Sequence, residues 1–207
     1  LTSFGIGVHR FDSRIEEFTV YGNDPKDNTS LSKNDVTSLF LDRSGIMWLG
    51  SRSSGVNTFN PVAVNFKNVI HLKENPLSLA PGLVWGIYED RNGSLWVSTD
   101  NNFEGQYLTQ FDRQNGTIIR HTHNPKKTNS LQNGTNRVMI EDNLGQFWIG
   151  ASRGLNLMDR KTGNVTRFVR EPNKKNQDVT SIMSLCLDET DSNYMWVGNR
   201  AGLDRLN

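Results

Sequence analysis

Three arginines recur at one place in this sequence. Arg52, Arg153 and Arg200 stand four or five residues after Trp48, Trp148 and Trp196, and Asp100-Asn101 holds the corresponding place after Trp96. A guanidinium presents a planar fork of donors that matches carboxylates, sulfates and hydroxyl-rich sugars. Trp85 adds a flat aromatic face on which a sugar ring can stack. Asn34, Trp85 and Arg137 are expected to enter the same region from neighbouring linkers, so the candidate binding set is Arg52, Trp85, Asn101, Arg137, Arg153 and Arg200. The competing assignment is structural, with the arginines bonded to loop carbonyls or to an aspartate nearby. General acid–base chemistry is less well supplied. The apolar segments 36–41, 84–88, 137–140 and 181–187 carry no His, and no Asp or Glu before their closing residues. An enzyme, such as a lactone hydrolase or lyase, needs such groups to converge.

Metal and nucleophile chemistry is sparse as well. His121 and His123 alternate on an expected outer strand and so face one side, but no third ligand stands at a telling spacing. Neither a metal nor a cofactor is expected, and the pair is assigned to an exposed strand edge. Cys186, the one cysteine, excludes an internal disulfide and falls where a buried inner-strand thiol is expected, with no His after it to act as a base. The Asp-x-x-Gly segments lack the further acidic positions of a calcium loop and read as hairpin turns. Asn28, Asn92, Asn115, Asn133 and Asn164 each begin an Asn-x-Ser/Thr triplet and are assigned to turns.

The elements that must hold these residues are set by a repeat. Trp48, Trp96, Trp148 and Trp196 lie 48, 52 and 48 residues apart, each followed by an aliphatic and then a small residue. Asp42, Asp90 and Asp142 stand six residues before the first three tryptophans. In the fourth copy Asp188 stands eight before, leaving a two-residue insertion within 189–194. After each Trp come Gly and an aliphatic residue, then an apolar residue with Asp or Asn, as in Gly154-Leu155 and Met158-Asp159. The second copy is stretched over 100–107. Short apolar-rich runs bounded by turn signals are strands, and no stretch keeps a helical period with caps. Four antiparallel strands per unit predict an all-β protein, a β-propeller built of four-stranded blades. The four tryptophans are expected to pack blade on blade.

Counted against this frame, residues 1–22 are the outer half of a blade, 34–75, 82–123 and 134–171 are full blades, and 179–207 is a partial one. An open arc exposes two apolar faces, so either more of the ring exists or the ends meet. The sequence starts without an initiator Met or a targeting pattern and reads as a piece of something longer.

Twenty-three Lys and Arg against 22 Asp and Glu leave a net charge of +1, too little for a phosphate-binding surface, so nucleic acid is not an expected partner. The apolar runs fall far short of the roughly 20 residues a membrane helix needs. With 35% hydrophobic and 22% charged residues, the composition is that of a folded globular chain.

The segment from Val36 to Gly50, Val-x-Ser-Leu-x-x-Asp-Arg-x-Gly-x-x-Trp-Leu-Gly, resembles the two-component regulator propeller repeats, as do the linkers Asn28-Thr29-Ser30-Leu31 and Asn129-Ser130-Leu131. The resemblance implies a seven-bladed ring in the sensor region of a bacterial transmembrane regulator, with a histidine kinase or diguanylate cyclase as output. It further implies a periplasmic or otherwise extracytoplasmic location, a membrane-anchored homodimeric parent, a small-molecule or glycan ligand, and no catalysis by this segment itself.

Overall fold

The computed structural model describes residues 2–3, 5–60, 65–101, 105–113, 115–168, 181–188, 190–191, 193–206. Residues 102–104 of the stretched loop, 169–171 at the end of the third full unit, and Asn207 are among those outside the described set. All regular structure described is β, in five antiparallel sheets. The first holds β1 (Thr2–Ser3), β2 (Gly7–Asp12) and β3 (Glu17–Tyr21). The first full blade is β4 (Val36–Leu41), β5 (Met47–Ser51), β6 (Val56–Asn60) and β7 (Asn65–Val69). The second is β8 (Leu83–Glu89), β9 (Leu95–Asn101), β10 (Gly105–Asp112) and β11 (Thr117–Thr122). The third is β12 (Asn136–Glu141), β13 (Phe147–Ala151), β14 (Gly154–Met158) and β15 (Val165–Phe168). The last is β16 (Ile182–Leu187), β17 (Met195–Asn199) and β18 (Gly202–Leu206). Each sheet is a meander in chain order, and β4, β8, β12 and β16 touch in succession as the inner strands of a propeller.

The tryptophans occupy equivalent places. Trp48, Trp96, Trp148 and Trp196 pair with Phe40, Tyr88, Ile140 and Cys186 on the adjacent inner strand. The Asp-x-x-Gly turn explains the spacing of six. Asp90 Oδ1 accepts the backbone N–H groups of Asn92 and Ser94, and Oδ2 accepts the Trp96 indole N–H at 2.9 Å. Asp42–Trp48 and Asp142–Trp148 repeat the indole bond at 2.8 Å. One carboxylate therefore closes the hairpin and satisfies the buried indole donor. Gly45, Gly93 and Gly145 take the positive φ that ends each turn.

Packing lies between blades. Trp96 and Leu108 of the second blade meet Met139, Phe147 and Ile149 of the third, and the linker residue Leu131 fills the same cluster. Leu31, Leu79 and Leu131 are buried plugs from successive linkers. The small residue after each Trp is demanded by this contact: a Cβ on Gly150 would lie 2.6 Å from Ile182 Cγ2 and 2.7 Å from Val138 Cγ1. The second blade exchanges the two sizes, with Ser98 at the small position and Gly86 facing it.

Two expectations are corrected. Cys186 is exposed, not buried. Its counterparts Phe40, Tyr88 and Ile140 face a following blade, whereas no described blade follows β16. Leu203 on that same side is 64% exposed, and at the opposite end Phe11 and Phe18 are 49% and 56% exposed. His121 is not an exposed edge residue: its ring stacks on Trp96 with centroids 5.6 Å apart, and burial pushes its pKa down. His123 lies just past the end of β11, where Nδ1 is 2.9 Å from the Leu131 carbonyl oxygen.

Candidate site on the bulged inner strands

Every full inner strand is interrupted at the same point. The pairing register shifts between Val36 and Ser38, Val84 and Gly86, Asn136 and Val138, and Ile182 and Ser184, leaving Thr37, Trp85, Arg137 and Met183 as the bulged residues. A bulge adds an unpaired residue, bends the strand and re-aims its side chain. Here four bulges lie on adjacent inner strands and bring their residues into a row. The Arg137 guanidinium carbon lies 4.9 Å from the centroid of the Trp85 ring. Its Nη1 is 3.5 Å from Met183 Sδ. Thr37 Oγ1 donates to the carbonyls of Gly50 and Val84, tying the first bulge to the strand that carries Trp85. Arg137 Nε is buried and has no hydrogen-bond acceptor among the described residues. This arginine is held by an aromatic face and a thioether, and no described carboxylate pairs with its charge.

Trp85 and Arg137 thus stand inside β8 and β12, not in linkers. Asn34 is structural, since its Oδ1 accepts the backbone N–H of Asn23 at 2.6 Å. Arg52 and Arg153 are exposed in the turns after β5 and β13, and Arg200 is exposed after β17. Those turns are tied to the starts of the inner strands, because Arg52 N donates to Asp35 O and Ser152 N to Thr135 O. Ser51 Oγ and Ser53 Oγ donate to the two oxygens of Asp35, both at 2.5 Å. At the second blade, buried Asp100 accepts from Thr135 Oγ1 across the blade boundary and from Gln106 Nε2. Gly82 permits a close approach there, since a Cβ on it would lie 2.5 Å from the Asp100 backbone. Asn101 follows it, half-buried, at the end of β9.

Sequence reasoning missed Met183 and Thr37, because no local pattern marks a bulge. It also missed a second constellation on the opposite end of the strands. Glu89 Oε2 accepts the backbone N–H of Arg43 from the preceding blade, while Arg113 binds both Glu89 and Asp42. One blade on, Glu141 accepts from Arg91 N, and Arg160 Nη1 lies 3.1 Å from Asp90 and 2.5 Å from Glu141. The signal was present in the repeated pairs Glu89-Asp90 and Glu141-Asp142 and in Asp112-Arg113 and Asp159-Arg160.

Four-stranded blades packed radially around bulged inner strands define a β-propeller. The family model for the two component regulator propeller matches residues 30–53 and 78–101, and the chain carries repeats of that kind. Histidine kinase P4 of Formosa agariphila is 27% identical over 173 residues, which is 80% of this chain and 12% of that protein. Among solved structures, the extracellular domain assigned to the hybrid two component system BT3049 of B. thetaiotaomicron superposes with a TM-score of 0.74 at 20% identity, covering 98% of this chain and 24% of that one. XC5397 of Xanthomonas campestris, a gluconolactonase, gives a TM-score of 0.63 at 13% identity over 97% of this chain and 64% of its own. The chain therefore spans about an eighth of the kinase relative and about a quarter of the BT3049 domain.

Proposed function

We propose that this chain is a non-catalytic, extracytoplasmic ligand-sensing segment of a membrane-anchored, homodimeric regulator of the two-component type, coupling ligand binding to an output domain. The observation that carries the reading is the Trp85–Arg137 stack on adjacent bulges. An aromatic face and a guanidinium without a described carboxylate partner suit a small-molecule or glycan ligand bearing hydroxyl or anionic groups. Arg52, Asn101, Arg153 and Arg200 supply further donors from the turns at that end. The extracellular assignment of the BT3049 relative and the histidine kinase relative support the location and the output.

Calorimetric titration of the chain with neutral and acidic oligosaccharides tests this. Saturable binding is expected, weakened by at least about tenfold in Arg137→Ala, as loss of one charge-assisted hydrogen bond implies. Binding that is indifferent to both Arg137→Ala and Trp85→Ala would remove the site. A second reading, a propeller enzyme acting on a lactone, is favoured by the gluconolactonase likeness alone. Turnover of gluconolactone by the purified chain would establish it in place of the first.

A further inference from the structure

The two boundaries between full blades are built alike and filled differently. In each blade one residue of the outermost strand stands beside the repeat tryptophan. Val69 pairs with Val56, His121 with Leu108 and Phe168 with Leu155, so the three are equivalent. The His121 ring stacks on Trp96 with centroids 5.6 Å apart, and the Phe168 ring lies 5.5 Å from that of Trp148. Beside Trp48 the same place holds only the two methyl groups of Val69. The facing walls recede as well. Val56, Leu95 and Val97 stand where the second boundary has Leu108, Phe147 and Ile149, and only Phe111, against Met158, is larger. Among the described residues, a cavity of about 110 Å³ is left between Trp48, Val56 and Val69 of the first blade and Leu95, Val97 and Phe111 of the second. Trp48 is accordingly half-buried, whereas Trp96 has no exposed surface.

We propose that this cavity is a binding site for one small, neutral aromatic molecule, separate from the row of bulged residues. The other two blades show what the place beside the tryptophan accepts, a planar ring of five or six members. An apolar cavity of about 150 Å³ stays dry and admits benzene. At about 110 Å³ the space takes a single ring and leaves nothing for a backbone carrying one, so the ligand is a free molecule. Its neutrality follows from the rim. Arg113 lies there over the Trp48 ring at 5.9 Å, and ion pairs with Asp42 and Glu89 already offset its charge. Arg43 pairs with Glu89 in turn, so two guanidinium groups balance two carboxylates. Neither an anionic nor a cationic substituent gains an unpaired partner, and either one loses hydration on entry. What the walls offer is the Trp48 face and aliphatic surface.

Titration of the indole N–H resonances with benzene provides the test. The Trp48 signal moves saturably, with a dissociation constant on the order of 1 mM. The Trp96 signal, whose ring is already covered by His121, stays in place. Benzoate and benzylamine bind at least about tenfold more weakly than benzene. Val69→Phe, which supplies the ring from the chain itself, abolishes the response, and Leu95→Phe, which copies Phe147 on the opposite wall, does the same. An unmoved Trp48 signal in the unaltered chain overturns the proposal whatever the variants do. So does an undiminished response in a folded Val69→Phe or Leu95→Phe chain, or one that benzoate or benzylamine matches.

Discussion

Arg113 Nη1 donates to Asp42 Oδ2 at 2.8 Å across a blade boundary, joining residues 71 positions apart. The Asp42 side chain is fully buried and the arginine is about one-third exposed, so the bond closes the rim of the interface beside the half-buried Trp48. A carboxylate that serves its own hairpin, its own tryptophan and the next blade links three levels of structure. Removing the arginine leaves the buried charge with hydrogen bonds alone.

Arg113→Ala is accordingly expected to lower stability by about 2–4 kcal/mol, below the full cost of breaking a buried pair because the guanidinium is partly solvated. Arg14→Ala, at an ion pair with Asp12 whose arginine is 83% exposed, should be silent. Urea unfolding of both variants checks the contrast. Equal midpoints would show that the boundary bond is dispensable.

The tryptophans should rank by burial. Trp96 has no exposed surface and Trp148 has 9%, so each truncation to Ala should cost about 3–5 kcal/mol, with Trp96 the larger. Trp96→Phe keeps most of the apolar bulk but leaves Asp90 Oδ2 without its indole donor, at about 1–3 kcal/mol. A loss below about 1 kcal/mol for Trp148→Ala would contradict the packing described.

Gly150→Ala should destabilise by about 1–3 kcal/mol, because its methyl group meets Val138 and Ile182 inside van der Waals contact. Combining it with Val138→Gly reproduces the exchange seen at Ser98 and Gly86 and should recover part of the loss. Strictly additive losses in a double-mutant cycle would reject that complementarity.

Acid should weaken the fold in two stages. Burial lowers the His121 pKa from its ordinary 6.5. The unfolded chain then binds the proton more readily, so stability falls as pH drops from about 6.5 through the folded value. Burial opposes ionisation of Asp42, yet hydrogen bonds from Ser44, Trp48, Ile46 N and Arg113 outweigh it and hold its carboxyl well below the ordinary 3.8. Its contribution is complete above 3.8 and is lost as pH falls through the folded value. Thermal midpoints from about pH 7 to about pH 3 should therefore show an early decline that His121→Phe flattens and a later one that it does not. An unaltered early decline in that variant would place its origin elsewhere.

What the sequence determined by itself was everything that repeats along the chain. The Trp spacing, the Asp-x-x-Gly turns and the short apolar-rich runs between them specify a four-stranded blade, because the hairpin turn and its Asp–Trp bond depend on residues no more than six apart. The linker leucines and the small residue after each Trp were visible as pattern, although their reason was not. The tertiary structure decided what lies across a blade boundary. Whether Cys186 is buried depends on a sheet packed against it, not on its strand. Likewise, His121 finds Trp96 two strands away, and Trp85 meets Arg137 only because both inner strands bulge at equivalent points. The arginines divided in the same way: those after each tryptophan stay at the surface, while Arg113 and Arg160, inconspicuous in the chain, close the boundaries. Burial and charge pairing are properties of neighbours in space, and in a ring of blades those neighbours come from the next repeat.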